Sequence, residues 1–300
     1  MPGSAFIIAA ALLWATLGPV ARFLLQEGVS ALEIGFWRAA FAAVLFAAHT
    51  AVRRDAPVAS RDLPAIGGFA LVGVSLFYLS FFQAVETGGA ALAAILLYTA
   101  PVWVALAARV WLREQLTTRK MIAIALSLAG VGLVAAGGGG AERHRIGMPA
   151  IAWGLTSGVA YASYYLFGKR YFQRYEPARV FALAMPIGAV ALLPFVELAA
   201  KPAWAWLLLL FIAAVPTYGA YLLYAAGLAR TEATRAATIA TIEPLAAALL
   251  AMAVWGESLH PAGYAGAVLI VGGVVVTLPR ASGAPRAAGA SPHSGAHPDS

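Results

Sequence analysis

The chain contains no cysteine. Disulfide bonds, thiolate nucleophiles and cysteine-ligated metals are therefore excluded, and the redox compartment cannot be read. Histidine is also scarce. His49, His144, His260, His293 and His297 sit at the ends of apolar runs or in tails, without ligand spacing, so no metal site is expected. Charge is thin, with only 11% of residues Asp, Glu, Lys or Arg. Gly137 to Gly140 run into Ala141-Glu142-Arg143 without the Lys-Ser/Thr of a phosphate-binding loop. ATP is thus not expected as an energy source, and no cofactor is expected. An intramembrane enzyme would need a Ser/His pair, paired Asp residues or a metal cluster at membrane depth, and none is visible.

Apolar residues are abundant. They make up 62% of the 300 residues, with a mean hydropathy of +0.81, too much to hide inside one water-soluble globule. Charge clusters cut the chain into ten runs near the ~20 residues that span a bilayer: 4–24, 31–51, 63–85, 89–110, 119–137, 148–167, 178–198, 203–228, 233–254 and 261–279. The expected fold is all-α and integral to a membrane, with ten transmembrane helices. The first run lacks a basic leading segment and a cleavage site, so it reads as a retained helix rather than a signal peptide. Residues 281–300, rich in Ala, Gly, Pro and Ser, read as a disordered tail.

The chain repeats itself at an offset of 143 residues. Tyr78–Leu79 aligns with Tyr221–Leu222, Pro101 with Pro244, Glu114 with Glu257, Leu116 with Leu259, and Gly130–Val131 with Gly273–Val274. The Pro pair and the Glu-x-Leu pair carry the argument, since Ala and Leu matches mean little in so apolar a chain. The halves are 1–139 and 140–280. Five helices per half is an odd number, so the second half enters the membrane inverted. Inverted halves around a central site suit alternating access, in which one face closes as the other opens. A passive channel could also have inverted halves, and saturable flux would count against it.

Orientation follows from the basic residues. With the N-terminus cytoplasmic, one side receives fifteen of them, from Arg53 and Arg54 through Arg119, Lys120 and Lys169 to Arg286. The other receives Arg22, Arg143, Arg145 and Lys201. Both termini are expected inside, in a plasma membrane or bacterial inner membrane. The +7 net charge follows from this asymmetry, so no nucleic-acid partner is expected.

Ten helices in two inverted halves, a helical Pro followed by Glu-x-Leu in each half, and the run Glu243-Pro244…Gly256-Glu257-Ser258-Leu259 together resemble the drug/metabolite transporter superfamily, within it the EamA type. The resemblance spans about residues 4 to 280. It implies a secondary transporter, since members export amino acids and other metabolites or drugs. The aromatic content makes the chain similar to the aromatic amino acid exporters of that family. The first half departs by carrying Ala100-Pro101 and Arg113-Glu114 where the second has Glu243-Pro244 and Gly256-Glu257.

Candidate contacts follow from helical spacing. Trp153, Ser157, Tyr161, Tyr164 and Gly168 fall on one face, too polar for lipid. Thr234, Thr238 and Thr241 share another, as do Thr217, Tyr221 and Tyr224; Ser75, Tyr78 and Phe82; and Tyr98 with Pro101. The substrate-binding candidates are Tyr78, Phe82, Tyr98, Trp153, Ser157, Tyr161, Tyr164, Tyr221, Tyr224, Thr238 and Thr241. Stacking, cation–π contact and hydroxyls suit an amphipathic small molecule such as an aromatic or large neutral amino acid. Pro101 and Pro244 each free a carbonyl one turn earlier, at Leu97 and Ala240, and kink their helices. Arg38 either faces the cavity and attracts a carboxylate, or snorkels outward to Glu33 or Glu86; the pairing is favoured. Glu243 could carry a proton, bind an ammonium or stabilise the kink. Facilitated export is the leading reading, and proton-coupled antiport through Glu243 is the alternative. The partners are a small-molecule substrate and the lipid bilayer. A monomer is plausible, and the oligomeric state is not legible.

Overall fold

The computed structural model describes residues 2–137, 147–256 and 260–278, so the expected junction near residue 140, Glu257, Leu259 and the tail lie outside the described residues. Every regular element among the described residues is helical. α1 (Gly3–Ala15) and α2 (Leu17–Gln26) form one rod, interrupted at Thr16, whose hydroxyl donates to the Leu13 carbonyl. α3 (Ala31–Arg53) is capped by Ser30, whose Oγ accepts the Glu33 N–H. α4 (Leu63–Phe69) passes through a π-helical stretch, Ala70–Leu76, into α5 (Phe77–Leu97). α6 (Ala100–Ala107) ends in a second π-helical stretch, Ala108–Leu112, before α7 (Thr118–Gly137). α8 (Met148–Tyr171) and α9 (Pro177–Leu192) follow. α10 (Ala203–Ala213) runs through the π-helical Ala214–Gly219 into α11 (Ala220–Ala229), and α12 (Ala233–Ala240), α13 (Ile242–Trp255) and α14 (Pro261–Thr277) complete the bundle.

Seven helical runs are long and apolar enough to cross a membrane: Gly3–Gln26, Ala31–Arg53, Ser60–Leu97, Thr118–Ala136, Pro177–Phe195, Ala203–Ala229 and Ala233–Trp255. As one straight rod the 38 residues of Ser60–Leu97 would measure about 57 Å at the α-helical rise, nearly twice a bilayer core of roughly 30 Å. Gly89 resolves this by taking φ 81° and ψ 158°, a conformation closed to side-chain-bearing residues, and the rod breaks there. α8 is long enough at 24 residues yet less apolar, because its Ser and Tyr residues lower the mean hydropathy.

The helices pack in pairs, α7 along α14, α5 along α8, α3 along α9, and α1 against α11 and α13. Small residues permit the closest approaches. A Cβ on Gly130 would lie 2.6 Å from the Gly266 carbonyl, and one on Gly266 would lie 2.5 Å from the Gly130 carbonyl. The Gly154-x-x-x-Gly158 pair packs on Leu96 of α5, so it serves packing within the chain. Outward-facing side chains such as Val52, Val110, Val190, Leu207 and Val268 are exposed and apolar, as a lipid-facing surface requires.

Irregularities recur at the offset seen in the sequence. The π-helical stretches Ala70–Leu76 and Ala214–Gly219 occupy matching positions, as do the helix interruptions at Tyr98 and Thr241. Arg113 and Gly256, also matching positions, both end their helices left-handed, with φ 56° and 67°. A non-glycine residue is strained there, so Arg113→Gly is expected to stabilise by up to about 1 kcal/mol, read as a small rise in Tm.

Candidate functional site

Two faces of the bundle differ in how tightly they are closed. On one, Gly3 approaches Gly227 and Arg230, Lys169 donates to the carbonyls of Leu228 (3.0 Å) and Thr231 (2.7 Å), and Asp62 accepts from the Tyr175 hydroxyl at 2.6 Å. Here the Glu114 carboxylate caps α12, accepting the N–H groups of Ala233 (2.7 Å) and Thr234 (3.2 Å) and the Thr234 hydroxyl (2.7 Å). Lys120 lies 3.8 Å from Glu114 and 3.2 Å from Glu232. On the opposite face Glu33, fully buried, binds Lys201 at 2.6 Å and accepts from Trp37 Nε1 at 3.0 Å.

Between these faces lies a cavity of about 930 Å³. Its lining starts at the buried Trp14, Tyr165 and Tyr224 and runs past Arg38, Tyr98 and Glu243 to Arg22 and Leu25, which are exposed. It therefore opens on the Glu33 face and ends blind toward the Glu114 face, beyond whose floor Phe172, Phe181 and Leu228 pack. The walls formed by α1, α5, α8 and α11 are aromatic. Phe77 stacks on Tyr161 with centroids 5.3 Å apart, Tyr221 meets Tyr164 edge-on at 5.6 Å, and Tyr165 meets Tyr224 at 5.4 Å. Hydroxyl pairs link Tyr221 to Tyr164 at 3.2 Å and Tyr165 to Tyr161 at 3.3 Å. Trp14 Nε1 and the Tyr224 hydroxyl, at the floor, are buried without a hydrogen-bond partner among the described residues.

Arg38 departs from the favoured outward pairing. It is buried, its Nε donates to Thr217 Oγ1 at 2.6 Å, and its guanidinium lies 5.3 Å from the Tyr78 ring centre and 5.9 Å from that of Tyr221. Lys201 takes Glu33 instead, and Glu86 accepts from Gln83 Nε2 at 3.2 Å. The Thr217 hydroxyl is oriented by donating to the Ile212 carbonyl five residues back, within the π-helical register. Glu243 lies at the start of α13, with the Tyr98 phenol beside its carboxylate and Arg38 within electrostatic reach.

Seven of the eleven substrate candidates line the cavity: Tyr78, Phe82, Tyr98, Tyr161, Tyr164, Tyr221 and Tyr224. Trp153, Ser157, Thr238 and Thr241 do not. The three hydroxyls among them are already spent on their own helices, Ser157 on Gly154, Thr238 on Thr234 and Thr241 on Thr238. α5 ends at Leu97 and α6 begins at Ala100, just before Pro101, while α12 and α13 meet at Thr241, ahead of Pro244. Pro244 lines the cavity; Pro101 is buried behind it. The Leu97 carbonyl lies 3.3 Å from where a Gly158 Cβ would stand, so it faces α8. Sequence reasoning missed Trp14, Phe77, Phe81, Tyr165 and Met252. Phe77 and Phe81 repeat at a helical spacing of four beside Tyr78 and Phe82, a signal that a wider stripe would have caught.

A bundle of membrane-length helices enclosing an aromatic cavity open at one end only has the architecture of a membrane transporter. The EamA-like transporter family model matches residues 1–136 and 148–278, and the chain belongs to that family, within the drug/metabolite transporter superfamily. It is similar to an uncharacterized transporter of Archaeoglobus fulgidus, 28% identical over 91% of this chain and 95% of the relative. It is similar also to the uncharacterized inner membrane transporter YicL of Salmonella typhimurium, 25% identical over 90% of this chain and 93% of the relative. A probable terminal-alkyne amino-acid exporter of Streptantibioticus cattleyicolor is 28% identical over 90% of this chain and 91% of its own. A solved crystal structure superposes with a TM-score of 0.77 at 18% identity, over 91% of this chain and 95% of that one, and shows the same fold.

Proposed function

We propose that this protein exports aromatic or large neutral amino acids by alternating access, as a facilitator, from ten transmembrane helices in two inverted five-helix repeats. The membrane is a bacterial inner membrane, and both termini are cytoplasmic. The observation that carries this reading is the blind cavity itself, aromatic where α1, α5, α8 and α11 line it and bearing one cation and one carboxylate at mid-depth. The recurring π-helical stretches, helix interruptions and left-handed caps support the two-repeat reading. Lys120, Lys169 and Arg230 fall on the closed face, so the positive-inside tendency makes the open face the exterior. The amino-acid cargo in the name of the Streptantibioticus relative agrees with the substrate class.

The test is counterflow of radiolabelled phenylalanine or tryptophan in liposomes without an ion gradient. Saturable counterflow is expected, with a maximal rate for Glu243→Gln within about twofold of the parent, since facilitated exchange requires no titrating carboxylate. Folded protein giving no counterflow with any aromatic amino acid would sink the assignment. A second reading rests on Glu243, a carboxylate facing the cavity without an ion pair among the described residues. It is proton-coupled drug or metabolite antiport, and it requires gradient-driven transport that Glu243→Gln abolishes.

A further inference from the structure

Arg38 and Glu243 are the two charged side chains at mid-depth in the cavity, and each comes from a different half of the chain. At the repeat offset the partner of Arg38 is Phe181, and that of Glu243 is Ala100. The cation therefore has no basic counterpart in the second half, and the anion has no acidic counterpart in the first. The two do not neutralise each other by direct contact, because Arg38 forms no ion pair with any described carboxylate. Among the described residues Thr217 holds the guanidinium at Nε, and the guanidinium makes no other hydrogen bond. Its two terminal NH₂ groups remain available, a forked donor array matched to a carboxylate. The ring centres of Tyr78 and Tyr221 lie 5.3 Å and 5.9 Å from it, and their low-polarity faces strengthen an interaction with a bound carboxylate.

At the other pole, Glu243 and the Tyr98 phenol present oxygen atoms that accept from an ammonium. A buried guanidinium that binds no carboxylate of its own is costly, and a ligand that supplies one offsets that cost. We infer that Arg38 and Glu243 form a two-pole recognition site for a zwitterion, Arg38 holding the α-carboxylate and Glu243 with Tyr98 holding the α-ammonium. The ligand's side chain then lies among Phe77, Tyr161 and Tyr165 toward the floor. The inference rests on the amino-acid reading proposed above and deepens it, since it makes the ligand's charge pattern, more than its ring, the basis of selection. Three aromatic ligands of similar size separate the poles: phenylalanine carries both charges, phenethylamine only the cation, and 3-phenylpropionate only the anion.

The experiment is titration of the purified full chain with each ligand, followed by intrinsic tryptophan fluorescence and by calorimetry. Phenylalanine is expected to bind the parent about tenfold or more tightly than either single-charge analogue. Arg38→Gln weakens phenylalanine and 3-phenylpropionate while leaving phenethylamine unchanged, and Glu243→Gln weakens phenylalanine and phenethylamine while sparing 3-phenylpropionate. In counterflow, Glu243→Gln raises the half-saturating phenylalanine concentration about tenfold at a near-parental maximal rate. The parent's ligand series needs no substitution, so it decides even if Arg38→Gln fails to fold. Equal binding of phenethylamine and phenylalanine by the parent, or one common loss for all three ligands in Arg38→Gln, would overturn the inference and leave the amino-acid exporter standing. If hydrophobic cations bind and no aromatic amino acid does, both fall together.

Discussion

Gly158→Val is expected to lower stability by about 3 kcal/mol, the upper end of what overpacking a tight contact costs. A Cβ at this position would stand 2.7 Å from the Leu96 carbonyl oxygen and 2.7 Å from Thr99 Oγ1. Neither atom yields readily. Leu96 belongs to the last turn of α5, and Thr99 Oγ1 is held by its bond to the Leu96 carbonyl and by Trp103 Nε1 at 3.0 Å. The added methyl groups must push α8 away from the point where α5 hands over to α6. That point is also where Leu97 and Tyr98 enter the cavity wall, so displacement there weakens transport as well as packing. Thermal unfolding in detergent gives the comparison. Gly132→Ala and Gly272→Ala serve as controls, because a Cβ at either meets nothing within 4 Å, and both should stay within about 0.5 kcal/mol of the parent. A Gly158→Val protein as stable as those controls would contradict the packing described here.

Glu114→Ala is expected to cost about 3 kcal/mol and to loosen the closed end of the cavity. The carboxylate satisfies two N–H groups at the start of α12 and one hydroxyl, all buried, and its removal leaves them without partners. Lys120 keeps Glu232 at 3.2 Å and the Gln115 carbonyl at 2.8 Å, so the cation itself is not stranded. The loss is thus mainly that of the cap, together with the tie between the α6–α7 connection and α12. Glu114→Gln, which keeps one acceptor oxygen but not the charge, should cost roughly half as much. The absence of cysteine makes the second readout clean. A cysteine placed at Ala236, which is fully buried on α12, would be the sole thiol. Its maleimide reaction should quicken about tenfold or more when Glu114 is removed, if the closed end opens. An unchanged labelling rate in a destabilised Glu114→Ala protein would mean that the cap supports the fold without holding that end shut.

Membrane residence and an all-helical fold were legible in the sequence because they depend on composition and run length, quantities that need no partner residue. The 143-residue offset was visible for a similar reason, since identical side chains at a fixed spacing are a property of the chain alone. Even the left-handed cap had a trace, a glycine at 256 where the first half carries Arg113. The aromatic lining of the cavity was legible too: Tyr78, Tyr161, Tyr164 and Tyr221 are large, polar-tipped and deep in apolar runs, and such a phenol has few places to go other than a cavity or a buried network.

Hydroxyls were not legible in the same way. A helical Ser or Thr can bond back to a carbonyl three or four residues earlier, and Ser157, Thr238 and Thr241 do so and leave the cavity wall. Arg38 shows the limit most plainly. From sequence it had Glu33 one turn away on its own helix, the nearest carboxylate and the expected partner. Only the tertiary structure brings Lys201 across to Glu33 and Thr217 to Arg38, over a sequence separation of 179 residues, which leaves the guanidinium in the cavity that Glu243 also lines. Local pattern determined which segments are helices and which faces are polar. Which charge meets which was decided by contacts between distant helices, because electrostatic pairing depends on distance in space and not on distance along the chain.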